Sequence, residues 1–178
     1  MLPIRSLIPY ESNEQFAHPA WADDETLIAE CNLSRLRRGG PGGQNRNKVE
    51  TAVRLEHQPS GVIAEGNEHR TQRENKKVAL RRLRMRLALE VRTPPLDYPH
   101  WHDINAHRRI GAKPDARTGP QLVAHVLNVL DAVNQNDAVA ARLLEVSRSQ
   151  LTRFLKADGH VQTRVNELRK IAGRGPMR

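Results

Sequence analysis

Cysteine is nearly absent: Cys31 stands alone among 178 residues. A single thiol closes no internal disulfide, which fits a reducing compartment, and Cys31 reads as a small buried hydrophobe. No apolar run approaches the roughly 18 residues that a membrane span requires, so a membrane is not expected as a partner. The opening stretch through Trp21 has no basic, then apolar, then small-residue pattern of a secretory signal, and acids follow Arg5, unlike an Arg-rich transit peptide. A cytoplasmic location is the expectation. No G-x-x-x-x-G-K-[ST] loop is present, and no Rossmann fingerprint follows a convincing strand, so no cofactor is expected. His100, His102 and His107 invite a metal reading, but no cysteine or close carboxylate set completes a site. They are read as surface-loop histidines, and no metal is expected.

What the chain has is positive charge, +9 in all, which favours an anionic partner. Residues 35–92 hold fifteen Lys/Arg against six Asp/Glu, and the remainder holds fourteen of each. The whole excess therefore lies in one contiguous third. Arginine supplies 23 of the 29 cations, and its planar fork of donors suits phosphate oxygens and stacks on bases. A solvated helix face is the plainer reading of a charge run. Here, however, the excess flanks a Gly-rich loop rather than lying on one helix only.

Patterning divides the chain. Residues 1–22 carry Pro3, Pro9 and Pro19 with few apolar positions and read as a flexible N-terminal arm. Asp23-Asp24-Glu25 suits a helix start, with Leu27, Ile28 and Cys31 as its apolar face. Residues 33–37 suit a short strand. Residues 51–57 alternate, Val53 and Leu55 opposite Arg54 and Glu56, as a strand does. Pro59-Ser60-Gly61 signals a turn, and 61–65 return as the partner strand. Residues 71–91 lack Gly and Pro and predict a long helix whose apolar stripe is Leu80, Leu83, Leu87 and Val91. Its other faces carry Arg73, Lys76, Lys77, Arg81, Arg82, Arg84 and Arg86. Residues 93–120 read as a Pro-rich linker, 121–173 as helices and 174–178 as a tail. The first of those helices has the stripe Val123, Val126, Leu127, Leu130 and Val133, and further helices follow at 138–146, 148–157 and 161–171. The fold expected is α+β: a small sheet packed on a long helix with a protruding loop, then the linker and an all-helical module.

The segment with chemistry in it is Arg37-Arg38-Gly39-Gly40-Pro41-Gly42-Gly43-Gln44-Asn45-Arg46-Asn47-Lys48. Glycine opens backbone angles closed to other residues and brings the main chain close to a ligand. A Gly-Gly-Gln turn can aim the Gln44 amide N–H at an ester carbonyl whose oxygen gains charge as water attacks. The Gln44 side chain both donates and accepts, so it can shape the space that admits water. It is no base at neutral pH, so proton movement would fall to RNA groups. The tripeptide alone is equally a Gly-rich turn, so its context decides.

Residues 37–83 closely resemble the catalytic domain of class I peptide chain release factors, and the likeness spans about residues 24–90. It rests on Gly42-Gly43-Gln44, Arg37, Asn47-Lys48, Thr51-Ala52-Val53-Arg54, the turn His57-Gln58-Pro59-Ser60-Gly61, and Arg70-x-Gln72-x-x-Asn75-Lys76. The resemblance implies hydrolysis of the peptidyl-tRNA ester in the peptidyl-transferase centre of the large ribosomal subunit. Catalysis would fall to Gly42, Gly43 and Gln44. Gln44 would be the central residue and the target of a glutamine methyltransferase. Arg35, Arg37, Arg38, Arg46, Asn47 and Lys48 near the loop, with Arg73, Lys76, Lys77, Arg81 and Arg84 on the helix, would contact peptidyl-tRNA and ribosomal RNA. Asn45-Arg46 stands where that family usually has a His- or Ser-led pair, and Gly39 where it usually has Ser.

Only 43 residues precede Gln44, and neither Pro-x-Thr nor Ser-Pro-Phe occurs. The expectation is a codon-independent hydrolase similar to those that rescue stalled ribosomes. The basic C-terminal tail usual there is replaced by the helical module. Within it, residues 140–155 resemble a helix-turn-helix, with Leu144, Val146, Leu151 and Leu155 inward and Arg148, Gln150 and Arg153 outward; a plain helical bundle is the simpler alternative. Three other readings stay open: a non-catalytic ribosome- or RNA-binding factor, a codon-dependent factor acting with a decoding partner, and a helix-turn-helix regulator.

Overall fold

In a computed structural model, residues 18–36, 50–94 and 118–177 are described. A 3-10 turn at Pro19–Trp21 leads into α1 (Asp24–Ala29), β1 (Cys31–Leu36), β2 (Ala52–His57), β3 (Ile63–Gly66) and α2 (Gln72–Glu90). Four helices follow: α3 (Gly119–Ala132), α4 (Asp137–Leu143), α5 (Arg148–Lys156) and α6 (Gly159–Ile171). The three strands form one antiparallel sheet in the order β1-β2-β3. This is the α+β arrangement that the pattern predicts.

Side-chain caps set the helix starts. Asp23, Thr71, Asn136, Ser147 and Asp158 each accept a first-turn amide, satisfying donors that a helix cannot pair internally. At α5 the Gln150 side chain also returns a bond to the Ser147 amide, which completes a capping box. The last turn of α2 is closed by Arg92, whose guanidinium donates to the carbonyls of Ala88, Leu89 and Val91. Burial, then the nearby Arg164, lowers the Arg92 pKa to about 9, so it keeps its charge at neutral pH.

α2 is a wall shared by two cores. Ala79, Leu80, Leu83 and Leu87 pack with Leu27, Val53, Leu55, Val62 and Ala64 under the sheet. Ala88, Met85 and Leu89 pack instead against α3–α6. α3 lies between α2 and the other three helices, so every residue from Leu122 to Leu130 is buried. The single stripe expected from the sequence is thus too narrow: a helix covered on all sides needs no polar face, and it buries even Asn128.

Two expected boundaries shift. The arm reaches the core: His18 and Ala20 are fully buried. The linker's first residue, Thr93, is held too. The Asn128 amide donates to Thr93 Oγ1 at 2.7 Å, and Thr93 N–H donates to Asn128 Oδ1 at 3.3 Å. Cys31 opens β1 rather than closing the α1 face, because α1 ends at Ala29. Its Sγ–H donates to the Leu27 carbonyl at 3.0 Å. Burial, then the Glu30 charge, raises its pKa to about 11. The thiol therefore stays protonated at neutral pH and is no nucleophile.

His18 makes the fold acid-sensitive. Its Nδ1 accepts from Ala20 N–H at 3.0 Å and its Nε2–H donates to the Val91 carbonyl at 3.2 Å. Both nitrogens are satisfied in the neutral ring, and burial pulls the pKa down to about 3. The unfolded chain takes up this proton near pH 6.5 while the folded chain does not. Stability is therefore full above that pH and falls as pH drops, by about 1.4 kcal/mol per unit. Between pH 7 and pH 5 the wild type should lose about 2 kcal/mol more than His18→Gln in urea unfolding. Parallel pH profiles for the two proteins would refute this.

Candidate active site

In sequence, Gly42-Gly43-Gln44 falls in the connection between β1 and β2. The last paired positions of that hairpin are Leu36 and Ala52, so residues 37–51 leave and rejoin the sheet at adjacent points. A connection of this length in a compact domain usually serves a function. Residues 37–49, which include Gly42, Gly43, Gln44, Arg37, Arg38, Arg46, Asn47 and Lys48, lie outside the described residues. Their mounting is described. β1 is an edge strand with four of its six residues exposed, Arg35 among them. α2 packs on β2 and β3, so the hairpin is anchored through its second strand.

The returning leg of the connection is clamped. Gln72 Nε2 donates to the Glu50 carbonyl at 2.7 Å. Asn75 is fully buried; its Nδ2 donates to the carbonyls of Thr51 at 2.8 Å and His69 at 2.9 Å, while its Oδ1 accepts from His69 N–H at 2.8 Å. One turn of α2 therefore fixes both the rejoining backbone and the segment that leads into the helix. These two residues were legible only as part of the Arg70-x-Gln72-x-x-Asn75-Lys76 run. Their grip on Glu50 and Thr51 is a tertiary fact.

The far end of β2 presents another hydrogen-bonded chain. His57 Nδ1 is 2.6 Å from Ser60 Oγ and its Nε2 is 3.0 Å from Glu30 Oε2. The order Ser–His–Glu resembles a hydrolytic triad. Here Ser60 is 3% exposed and His57 fully buried, so no ester carbonyl fits against the hydroxyl. Desolvation is the largest influence on His57 and lowers its pKa, against the pull of Glu30. The chain of bonds shapes the 57–62 turn, with Gly61 at φ +67°, a left-handed conformation that glycine adopts without strain.

The helix cations part company. Arg73, Lys77 and Arg81 are exposed at successive i,i+4 positions and form one stripe along α2, with Lys76 half-buried beside them. Arg84 corrects the expectation of an RNA contact. It is 8% exposed and donates to the carbonyls of Ala20 and Ala22 and to Asp24 Oδ1. Its position on α2 points at the incoming 18–24 segment, where unpaired carbonyls need donors. Arg82 donates to the Glu65 carbonyl at 2.8 Å and Arg86 to that of Ile63. They cover the outer edge of β3, a row of groups that would otherwise invite another strand.

Residues 26–100 match one known family, the RF-1 domain. Over that span the chain is similar to an RF-1 domain. Its relatives include peptide chain release factor 1 of Chloroherpeton thalassium, 45% identical over 65 residues, covering 36% of this chain and 18% of the relative. Peptide chain release factor 2 of Haemophilus influenzae is 30% identical over 162 residues, covering 84% of this chain and 42% of the relative. The chloroplastic peptide chain release factor PrfB1 of Arabidopsis thaliana is 52% identical over 58 residues, 33% of this chain and 13% of the relative. The chain thus spans less than half the length of these curated relatives. No solved structure matches. Among the described residues, no helix is long and apolar enough to cross a membrane.

Proposed function

We propose that the chain hydrolyses the ester of peptidyl-tRNA on the ribosome without reading a codon, as a rescue or termination factor. One observation supports this above the others: Gly42-Gly43-Gln44 occupies the middle of a connection whose returning leg α2 holds by Gln72 and Asn75, within the span similar to an RF-1 domain. A loop mounted this firmly can carry a backbone N–H donor to a developing oxyanion, the kind of contact worth about a hundredfold to a thousandfold in rate. Gln44 shapes the space for water. Protons move through the tRNA and ribosomal RNA. Arg35 on the hairpin and the stripe Arg73, Lys77 and Arg81, with Arg37, Arg38, Arg46, Asn47, Lys48 and Lys76, hold RNA phosphates. The partners are then the peptidyl-transferase centre of the large subunit, peptidyl-tRNA, and a methyltransferase acting on Gln44, all in the cytoplasm.

The codon-independent reading draws on the lack of Pro-x-Thr and Ser-Pro-Phe in the sequence. The helix that holds the loop's stem is also a wall of the helical bundle. A second reading, a codon-dependent factor working with a decoding partner, draws on the likeness to release factor 2, which runs well beyond the RF-1 domain.

Release of labelled peptide from ribosomes with an empty A site, a sense codon or a stop codon separates the two. The codon-independent reading expects release in all three; a strict stop-codon requirement replaces it with the second reading. Gln44→Ala should lower release by about a hundredfold or more while ribosome binding persists. Full release in that variant would overturn the assignment of the chemistry to Gln44, and no release by the wild type would leave only a non-catalytic binding role.

A further inference from the structure

The helical bundle carries eight Lys/Arg against five Asp/Glu, a net of +3 that is unevenly spread. Residues 118–147 carry one Arg against three Asp/Glu, and residues 148–177 carry seven Lys/Arg against two. Three of the seven, Arg148, Arg153 and Arg169, line an open groove of about 820 Å³ together with Asp137, Ser149, Thr152 and the chain from Gly175 to Met177.

The groove is built rather than incidental. Its tail wall is tied down: Arg169 Nε donates to the Gly175 carbonyl at 2.7 Å, Arg174 Nε to that of Asn134 at 2.6 Å, and Met177 N–H to Asn166 Oδ1 at 3.0 Å. Met177 itself is buried in the bundle core. On the opposite wall, Arg148, Ser149, Thr152 and Arg153 share one face of α5, since 148 and 152, and 149 and 153, are i,i+4 neighbours. Asp137 lies in the groove but is consumed by Arg148, at 2.8 Å. Burial alone would raise its carboxyl pKa, yet the Arg148 bond and the charges of Arg148 and Arg169 outweigh this and hold it below the usual range. Arg153 is exposed and makes no hydrogen bond or ion pair among the described residues.

We propose that this groove binds the phosphodiester backbone of RNA. The unengaged Arg153 guanidinium and the hydroxyl-bearing Ser149 and Thr152 lie on one helix face and suit phosphate oxygens. The groove is open to solvent, so a backbone strand can reach these donors. The site reads charge and not bases, unlike a helix-turn-helix regulator. The choice of RNA over DNA rests on the release-factor reading; the groove's preference for a polyanionic backbone does not.

The test uses the full chain and a fluorescein-labelled RNA duplex of sixteen or so base pairs, followed by anisotropy over a salt series. Arg153→Glu should weaken binding by about tenfold and flatten the salt slope by about one. Arg142→Glu makes the same charge change on exposed α4 outside the groove and should weaken binding by less than half as much. Equal losses in the two variants, or no loss in Arg153→Glu, would overturn the proposal. So would tighter, base-selective binding to DNA duplexes, or undiminished binding of RNA when a polyglutamate peptide saturates the groove. Because the assay needs no hydrolysis, its outcome is independent of the release assay.

Discussion

Asn75→Ala should cost about 3–5 kcal/mol of stability and most of the release activity. The side chain is fully buried and makes three hydrogen bonds, to both polar groups of the His69 backbone and to the Thr51 carbonyl. Alanine strands all three partners, at about 1–3 kcal/mol each, the lower figures applying where water enters. Against a total stability of about 5–15 kcal/mol this is a large share. Gln72→Ala separates folding from positioning. It removes one half-exposed bond to Glu50 and should cost about 1 kcal/mol. Because a catalytic loop displaced by a fraction of an ångström loses rate steeply, release at saturation should still fall about tenfold, with ribosome affinity unchanged. Wild-type release by Gln72→Ala would show that the clamp is merely structural.

Gly66→Ala should be comparably damaging for a different reason. The last residue of β3 passes so close to α2 that an added Cβ would lie 2.1 Å from the Asn75 carbonyl oxygen and 2.9 Å from the Ala79 nitrogen. Both are backbone atoms of one helix and cannot rotate aside. The strand end must leave the helix, and a cost of about 3 kcal/mol or more follows. For a chain of this size the melting temperature should fall by roughly 6–12 °C. A drop of under 2 °C would mean that β3 and α2 part easily. The same shift would disturb Asn75, so the two substitutions should be less than additive in the double variant.

The elements with a strong period were legible. Alternation at Val53 and Leu55 marked β2, and the Leu80-Leu83-Leu87 spacing marked α2 and its buried face. The helices at 148–156 and 159–171 fell close to their expected places. Charge was harder to read, since every arginine looks alike in a sequence. Arg82, Arg84 and Arg86 face carbonyls contributed by β3 and by the 18–24 segment, and only the tertiary path shows that those carbonyls need donors. Counting all residues outside 35–92 together, fourteen cations against fourteen acids, averages away the contrast between residues 118–147 and 148–177. Thr93 looked like linker because its partner Asn128 is 35 residues away. For the loop itself, the sequence supplied the tripeptide and the fold supplied the grip on its stem.

The position of α2 has a consequence for how the molecule holds together. With Leu83 on one core and Ala88 on the other, and with Arg164 of α6 donating to the Leu89 carbonyl, neither half keeps its interior once the other melts. Thr93 and Pro94 open a stretch of prolines that resembles a seam, yet the thermodynamic seam is elsewhere or nowhere. Sheet and bundle should therefore melt in one transition, with a substitution in the bundle lowering the stability of the half that carries Gly42-Gly43-Gln44 as directly as one made beneath the sheet.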